Sequence, residues 1–167
     1  MGDLLFVAQL DSSHLNLCMG PVDIGEIASE AVQAAAPRAA QQGLELVLEA
    51  GDSPTVTGDR DRLGQTFDNL ITNAVNYSPD GGKVVVRVTG LGDQVVVEVQ
   101  DQGVGIPAEE QEHIFRRFFR ASTAVDLHVQ GVGLGLLIVK TIVRGHGGQI
   151  SVSSAPGEGT TFRFSFP

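Results

Sequence analysis

Between Asp59 and Pro79 the sequence reads DRDRLGQTFDNLITNAVNYSP, and its spacing leaves little choice of local structure. Asp59 is a helix N-cap, and Leu63, Phe67, Leu70, Ile71, Ala74 and Val75 recur at helical intervals, so the stretch is an amphipathic helix stopped by Ser78-Pro79. At roughly 100° per residue, Gln65, Asn69, Asn73 and Asn76 fall in one stripe opposite the apolar residues. Solvated helix faces are usually built from Glu, Lys and Arg, whereas Asn competes with the helix for backbone hydrogen bonds. A row of asparagines therefore has two readings. It is either a wet helix face or a set of neutral amide oxygens, which can ligate Mg²⁺ without cancelling its charge and leave that charge for a nucleotide's phosphates.

The rest of the chain supplies the partners such a helix needs. Asp23 caps a second helix carrying Ile24, Ile27, Ala31, Val32 and Ala35 on one side; Gly43 ends it, and Pro37 kinks or shortens it. Leu44 to Leu48 alternates as a strand, and Val56-Thr57 is a short pairing segment. Lys83–Thr89 and Gln94–Gln100, rich in valine and joined through Gly90-Leu91-Gly92-Asp93, form an antiparallel hairpin. Its second strand runs into DQGVGIP, residues 101–107, where two glycines allow close backbone approach and the Asp101 carboxylate can accept from an exocyclic amine such as adenine's. Taken alone, this is equally an ordinary glycine turn. Pro107 starts a helix over PAEEQEHIFRRF, followed by a loop at residues 121–130. Gly131-Val132-Gly133-Leu134-Gly135 then opens a helix through Val143, the arrangement in which unpaired N–H groups and the helix dipole favour a phosphate. Two strands, Gln149–Ser153 and Thr160–Phe166, close the chain.

Bulk properties narrow the function. With 167 residues the chain is the size of one domain, and a net charge of −9 argues against nucleic acid or an anionic membrane surface as a partner. Cys18 is the only cysteine, which excludes an internal disulfide and fits a reducing, cytoplasmic setting. No run approaches the ~18 apolar residues of a membrane span, so no direct membrane insertion is expected. Residues 3–10, DLLFVAQL, read as the tail of a longer helix or a docking segment. His14 lacks a neighbouring carboxylate or arginine to support phosphoryl acceptance and reads as a surface histidine. The pattern G-x-x-x-x-G-K-[ST] is absent, and the third glycine of residues 131–135 comes one position too early for a dinucleotide fingerprint.

The ordered series of asparagine helix, D-x-G-x-G, IFRRFFR, loop and G-x-G-x-G resembles the catalytic, ATP-binding domain of two-component sensor histidine kinases, within the GHKL superfamily that also holds gyrase, mismatch-repair and chaperone ATPases. NLITNAVNYSP is similar to the N box, DQGVGIP to the first glycine box, IFRRFFR to the F box, GVGLGLLIVK to the second glycine box and GEGT to a third. The resemblance covers residues 21–167 and implies a two-layer α/β sandwich: one mixed, roughly five-stranded sheet covered on one face by three helices. It implies ATP and Mg²⁺ as cofactors, Asn73 as metal ligand and Asn69 one turn earlier beside metal and phosphates. Asp101 would bind the adenine amine in a pocket shaped by Gly103, Gly105 and Ile106, with Asn76, Tyr77 and Thr160 bordering the nucleotide. Residues 106–130 would form a mobile lid, Arg117 and Arg120 would meet phosphates, and Gly131, Val132, Gly133, Leu134 and Gly135 would present backbone amides. Two positions depart from the family pattern: Asn76 stands where a basic residue is frequent, and Arg116 where an acidic one is common.

The implied activity is transfer of the γ-phosphoryl group to a histidine on a dimerisation domain or partner protein, with a response regulator downstream. The acceptor histidine box is not found in this sequence. Residues 1–20 instead resemble the tail of the dimerisation hairpin and its exit linker, and a monomer is expected. Within the same resemblance the alternatives are a serine-kinase regulator of the anti-sigma type and a nucleotide-gated interaction module.

Overall fold

A computed structural model describes residues 16–51, 55–116, 118–122 and 134–167. The expectations for residues 3–10 and His14 lie outside these residues. The chain forms β1 (Gly20–Asp23), α1 (Ile24–Gln41), β2 (Leu44–Ala50), β3 (Thr55–Gly58), α2 (Arg60–Asn76), β4 (Gly82–Leu91), β5 (Gln94–Asp101), a single helical turn α3 (Ala108–Gln111), α4 (Gly135–Gly145), β6 (Gln149–Ser154) and β7 (Thr160–Phe166). Five strands make one mixed sheet in the order β2-β4-β5-β7-β6. The β2–β4 pair is parallel, as the intervening β3 and α2 require, and the other pairings are antiparallel.

The layer arrangement follows from strand alternation. Val84, Val86 and Val88 of β4, Val97 and Val99 of β5, and Phe162, Phe164 and Phe166 of β7 share one buried core with α1, α2 and α4. The intervening residues Arg87, Glu98 and Arg163 fall on the other face, where the Arg87 Nε lies 2.7 Å from Glu49. One face is thus covered by three long helices and the other carries the polar residues, which is the expected two-layer sandwich.

Local signals explain the boundaries. The Asp23 carboxylate accepts the Glu26 N–H and the Asp59 carboxylate the Arg62 N–H, so both predicted N-caps are formed. Gly43, at φ +72°, makes the left-handed turn that follows α1. Pro37 neither shortens nor ends α1, which continues through it to Gln41. Short β1 pairs antiparallel with β3 from Gly20 opposite Gly58 to Asp23 opposite Thr55, a pairing that four residues of sequence could not announce.

The helix expected from Pro107 through Phe118 is a correction. Only Ala108–Gln111 is α-helical, and the chain continues in turns closed by His113 N–H to Glu110 O, Arg116 N–H to His113 O and Phe119 N–H to Arg116 O. These three-residue closures let Ile114 bury, Phe115 pack edge-on to Phe162 and Phe119 meet His113, which one continuous helical face does not achieve. Phe118, at φ +61°, stops any helix at that point.

Candidate nucleotide site

Helix α2 sits between α1 and α4, and this alters the reading of its stripe. Gln65, Asn69, Asn73 and Asn76 are half-buried, whereas the open positions are Arg60, Asp61, Asp68 and Thr72. The asparagines therefore flank the core along the seams with neighbouring helices instead of lying opposite it. Asn69 Nδ2 donates to the Gly135 carbonyl across 3.3 Å, which brings the start of α4 against the stripe. The Asn73 side chain has no hydrogen-bond partner among the described residues. Asn76 Oδ1 accepts from Arg38 Nη2 in the last turn of α1.

At the far end of α2 the D-x-G-x-G turn is held by contacts that only glycine permits. Val104 N–H bonds the Tyr77 carbonyl at 3.0 Å, and a Cβ on Gly103 would lie 2.0 Å from that same oxygen. Gly105, at φ +75°, faces the Ala155 carbonyl at an equally prohibitive 2.0 Å for a Cβ. Ile106 is buried, its N–H bonds Ser154 Oγ at 2.8 Å, and its carbonyl accepts from Gln111 Nε2 at 2.9 Å. The β6–β7 turn closes from below, because Ser154 Oγ also meets Thr160 Oγ1 at 2.8 Å.

Asp101 lies at the centre of this turn and is only 5% exposed. Its Oδ1 accepts the N–H groups of Gly103 at 2.9 Å and Thr160 at 3.2 Å. Oδ2 has no partner among the described residues and is not enclosed. Burial outweighs the two N–H donors and pushes the carboxyl up to about 6. A half-committed carboxylate of this kind suits a neutral donor such as an exocyclic amine. Tyr77 stands beside it, its phenol pushed up by burial, drawn down by the Arg120 charge and raised again by Glu110. Arg120 is thus placed near the site, whereas Arg116 is exposed.

Leu134, buried, precedes α4, whose N-terminus has no side-chain cap, so its first-turn amides are of the kind that take an anion. Arg117, Gly131, Val132 and Gly133 lie outside the described residues. Sequence reasoning missed four supports: Arg38 at Asn76, Ser154 and Gln111 around Ile106, and His146. The last accepts the Asp59 N–H on Nε2 at 2.9 Å and contacts the Ile142 carbonyl through Nδ1 at 2.7 Å, which makes it a neutral imidazole fastening the end of α4 to the start of α2. Spacing alone offers no signal for a contact between residues 87 apart.

Comparison with known proteins gives the same fold. Residues 58–167 match the family described as histidine kinase-, DNA gyrase B-, and HSP90-like ATPase. The chain belongs to this family. It is 35% identical over 167 residues to the sensor-like histidine kinase SenX3 of Mycolicibacterium smegmatis, covering all of this chain and 44% of the relative. It is 33% identical over 168 residues to the alginate biosynthesis sensor protein KinB of Pseudomonas aeruginosa, covering 28% of that protein. The chain thus spans less than half the length of these relatives. Among solved structures, full-length ShkA in complex with AMPPNP superposes with a TM-score of 0.87 at 30% identity, over 99% of this chain and 34% of that one. The mycobacterial sensor histidine kinase MprB gives a TM-score of 0.78 at 32% identity, over 89% of this chain and 97% of that one.

This ATPase-family chain contains, among the described residues, no helix long and apolar enough to cross a membrane and no group of three or more His, Cys, Asp and Glu side chains able to hold a metal.

Proposed function

We propose that residues 21–167 are the catalytic domain of a two-component histidine kinase, working in the cytoplasm, and that residues 1–20 are the end of a dimerisation helix and its linker. The reaction is transfer of the ATP γ-phosphoryl group to an imidazole nitrogen on a dimerisation domain or partner protein, releasing ADP; a response regulator would take the group next. The observation that carries the reading is Asp101, a buried carboxylate with one oxygen bound by Gly103 and Thr160 and the other without a partner among the described residues.

In this reading Asp101 Oδ2 accepts the adenine amine, and Gly103, Gly105 and Ile106 form the rigid wall that keeps competing water out of that contact. Tyr77 and Thr160 border the base. Asn73, whose amide has no protein partner among the described residues, offers an oxygen to Mg²⁺, with Asn69 one turn earlier. The metal's charge would assist phosphoryl transfer, and its other oxygens would come from phosphates and water. Arg117, Arg120 and the amides of Gly131, Val132, Gly133, Leu134 and Gly135 would neutralise and position the phosphates.

The test is calorimetry with ATP, with and without Mg²⁺, on the wild type and on Asn73→Ala. Binding that strengthens with Mg²⁺ in the wild type and loses that increment in the variant is expected. Failure of the wild type to bind ATP overturns the reading. Transfer is then assayed on candidate partners, where an acid-labile phosphoprotein is expected and an acid-stable one would point to a serine acceptor.

A further inference from the structure

Arg38 is the one described cation drawn onto the asparagine stripe from another helix. It lies in the last turn of α1, is exposed, and hands its Nη2 hydrogen to Asn76 Oδ1. No carboxylate pairs with it among the described residues. Arg60 and Arg87, by contrast, sit against carboxylates: Arg60 against Glu30 at 2.6 Å and Glu26 at 3.3 Å, Arg87 against Glu49 at 2.7 Å. An amide accepts a hydrogen bond without cancelling charge, so Arg38 keeps its full positive charge in a chain whose net charge is −9. The last turn of α2 carries no basic residue of its own.

Position gives this charge a use. Asn76 is one turn beyond Asn73, a rise of about 4.5 Å along the axis, which is within the reach of an arginine side chain. Its sequence neighbour Tyr77 receives the glycine turn at its carbonyl, and Asn69, at the other end of the stripe, holds Gly135. The stripe therefore runs from the glycine turn beside Asp101 toward the uncapped start of α4, and Arg38 is held at its Asn76 end. A guanidinium has five N–H donors, and Asn76 uses one.

We infer that Arg38 is a phosphate-contacting residue of the nucleotide site, presented across the α1–α2 seam by Asn76. The inference rests on the nucleotide reading above. Asn76 acts as a positioning residue, orienting the planar group so that its remaining donors meet phosphate oxygens. Arg38 thereby adds to the site a cation from a helix whose sequence motif gives no sign of it.

The experiment measures adenosine, ADP and Mg²⁺-ATP affinities by competition against a fluorescent ATP analogue, for the wild type, Arg38→Ala, Arg38→Lys and the double variant Arg38→Ala/Asn76→Arg. Expected for Arg38→Ala is unchanged adenosine affinity and a loss that grows with phosphate number, to about tenfold for ATP at low salt, shrinking as salt rises. Arg38→Lys recovers part of it, because charge remains but the fork is lost, and the double variant restores it by placing the cation on α2 itself. Equal loss for all three ligands, or no loss for ATP, overturns the inference and leaves Arg38 as a helix-end cation. Wild-type protein that binds no nucleotide overturns the site reading and this inference with it, whereas wild-type binding with a flat Arg38→Ala profile overturns this inference alone.

Discussion

Asp101→Asn should make the domain more stable and its nucleotide binding worse. The Asp101 carboxyl sits at about 6 against an ordinary 3.8, because burial raises it more than the Gly103 and Thr160 N–H groups lower it. The folded chain therefore binds this proton more tightly than the unfolded chain. Stability falls as pH rises from the ordinary value to the raised one, and stays at the lower level above it. A difference of about two units at about 1.4 kcal/mol each gives a cost of about 3 kcal/mol that is fully present at pH 7.5. The asparagine carboxamide keeps an oxygen for Gly103 and Thr160 and has no charge to bury, so the variant should gain about 1–3 kcal/mol at pH 7.5 after small packing losses. Below pH 4 the two proteins should converge. Urea denaturation of both, from pH 4 to 8, reads the difference directly. For binding the sign reverses: the new amide N–H₂ would point a donor at the ligand's donor, costing about 100-fold or more in ATP affinity. Wild-type affinity should itself fall about tenfold per pH unit below about pH 6, as the carboxyl takes up its proton. Parallel pH–stability curves for the two proteins, or an Asp101→Asn variant that is destabilised yet binds ATP normally, would refute the reasoning.

His146→Ala removes the acceptor of the buried Asp59 N–H and should cost about 2–4 kcal/mol in urea denaturation at pH 7; an unchanged midpoint refutes the fastening role. The Asp59 carboxylate is raised by burial but brought below its ordinary value by the N–H groups of Cys18, Arg62 and Asp61 and by the Arg62 charge. Its stabilisation is thus present above the ordinary value and lost as pH falls through the depressed one, so Asp59→Asn should lower the urea midpoint at pH 7 and leave it unchanged at strongly acid pH. Gly103→Ala, which forces a Cβ to 2.0 Å from the Tyr77 carbonyl, should abolish ATP binding in calorimetry. Gly90→Ala, with no atom within 4 Å, should leave that binding intact.

What the sequence makes legible here is whatever is governed by short-range rules. The caps Asp23 and Asp59, the valine hairpin and the glycine turn all follow from residues within a few positions of one another, and they stand where the sequence puts them. The helix expected after Pro107 fails because its residues answer to contacts made elsewhere. Ile114, Phe115 and Phe119 bury best in three-residue turns, a preference set by the sheet beneath them and invisible in their own spacing. The asparagine stripe is legible as a feature but not in its placement. Periodicity alone puts it opposite the apolar face, and only the presence of α1 and α4 on either side of α2 turns it into two seams. Those seams hold contacts that no motif names: Arg38 reaches across to Asn76 beside the candidate site, and His146 reaches back to Asp59 at the opposite end of α2. A motif marks the element that carries a site, while charge and rigidity come from neighbouring elements. Asn76 looks like a missing charge in the sequence, and the fold sets an arginine beside it.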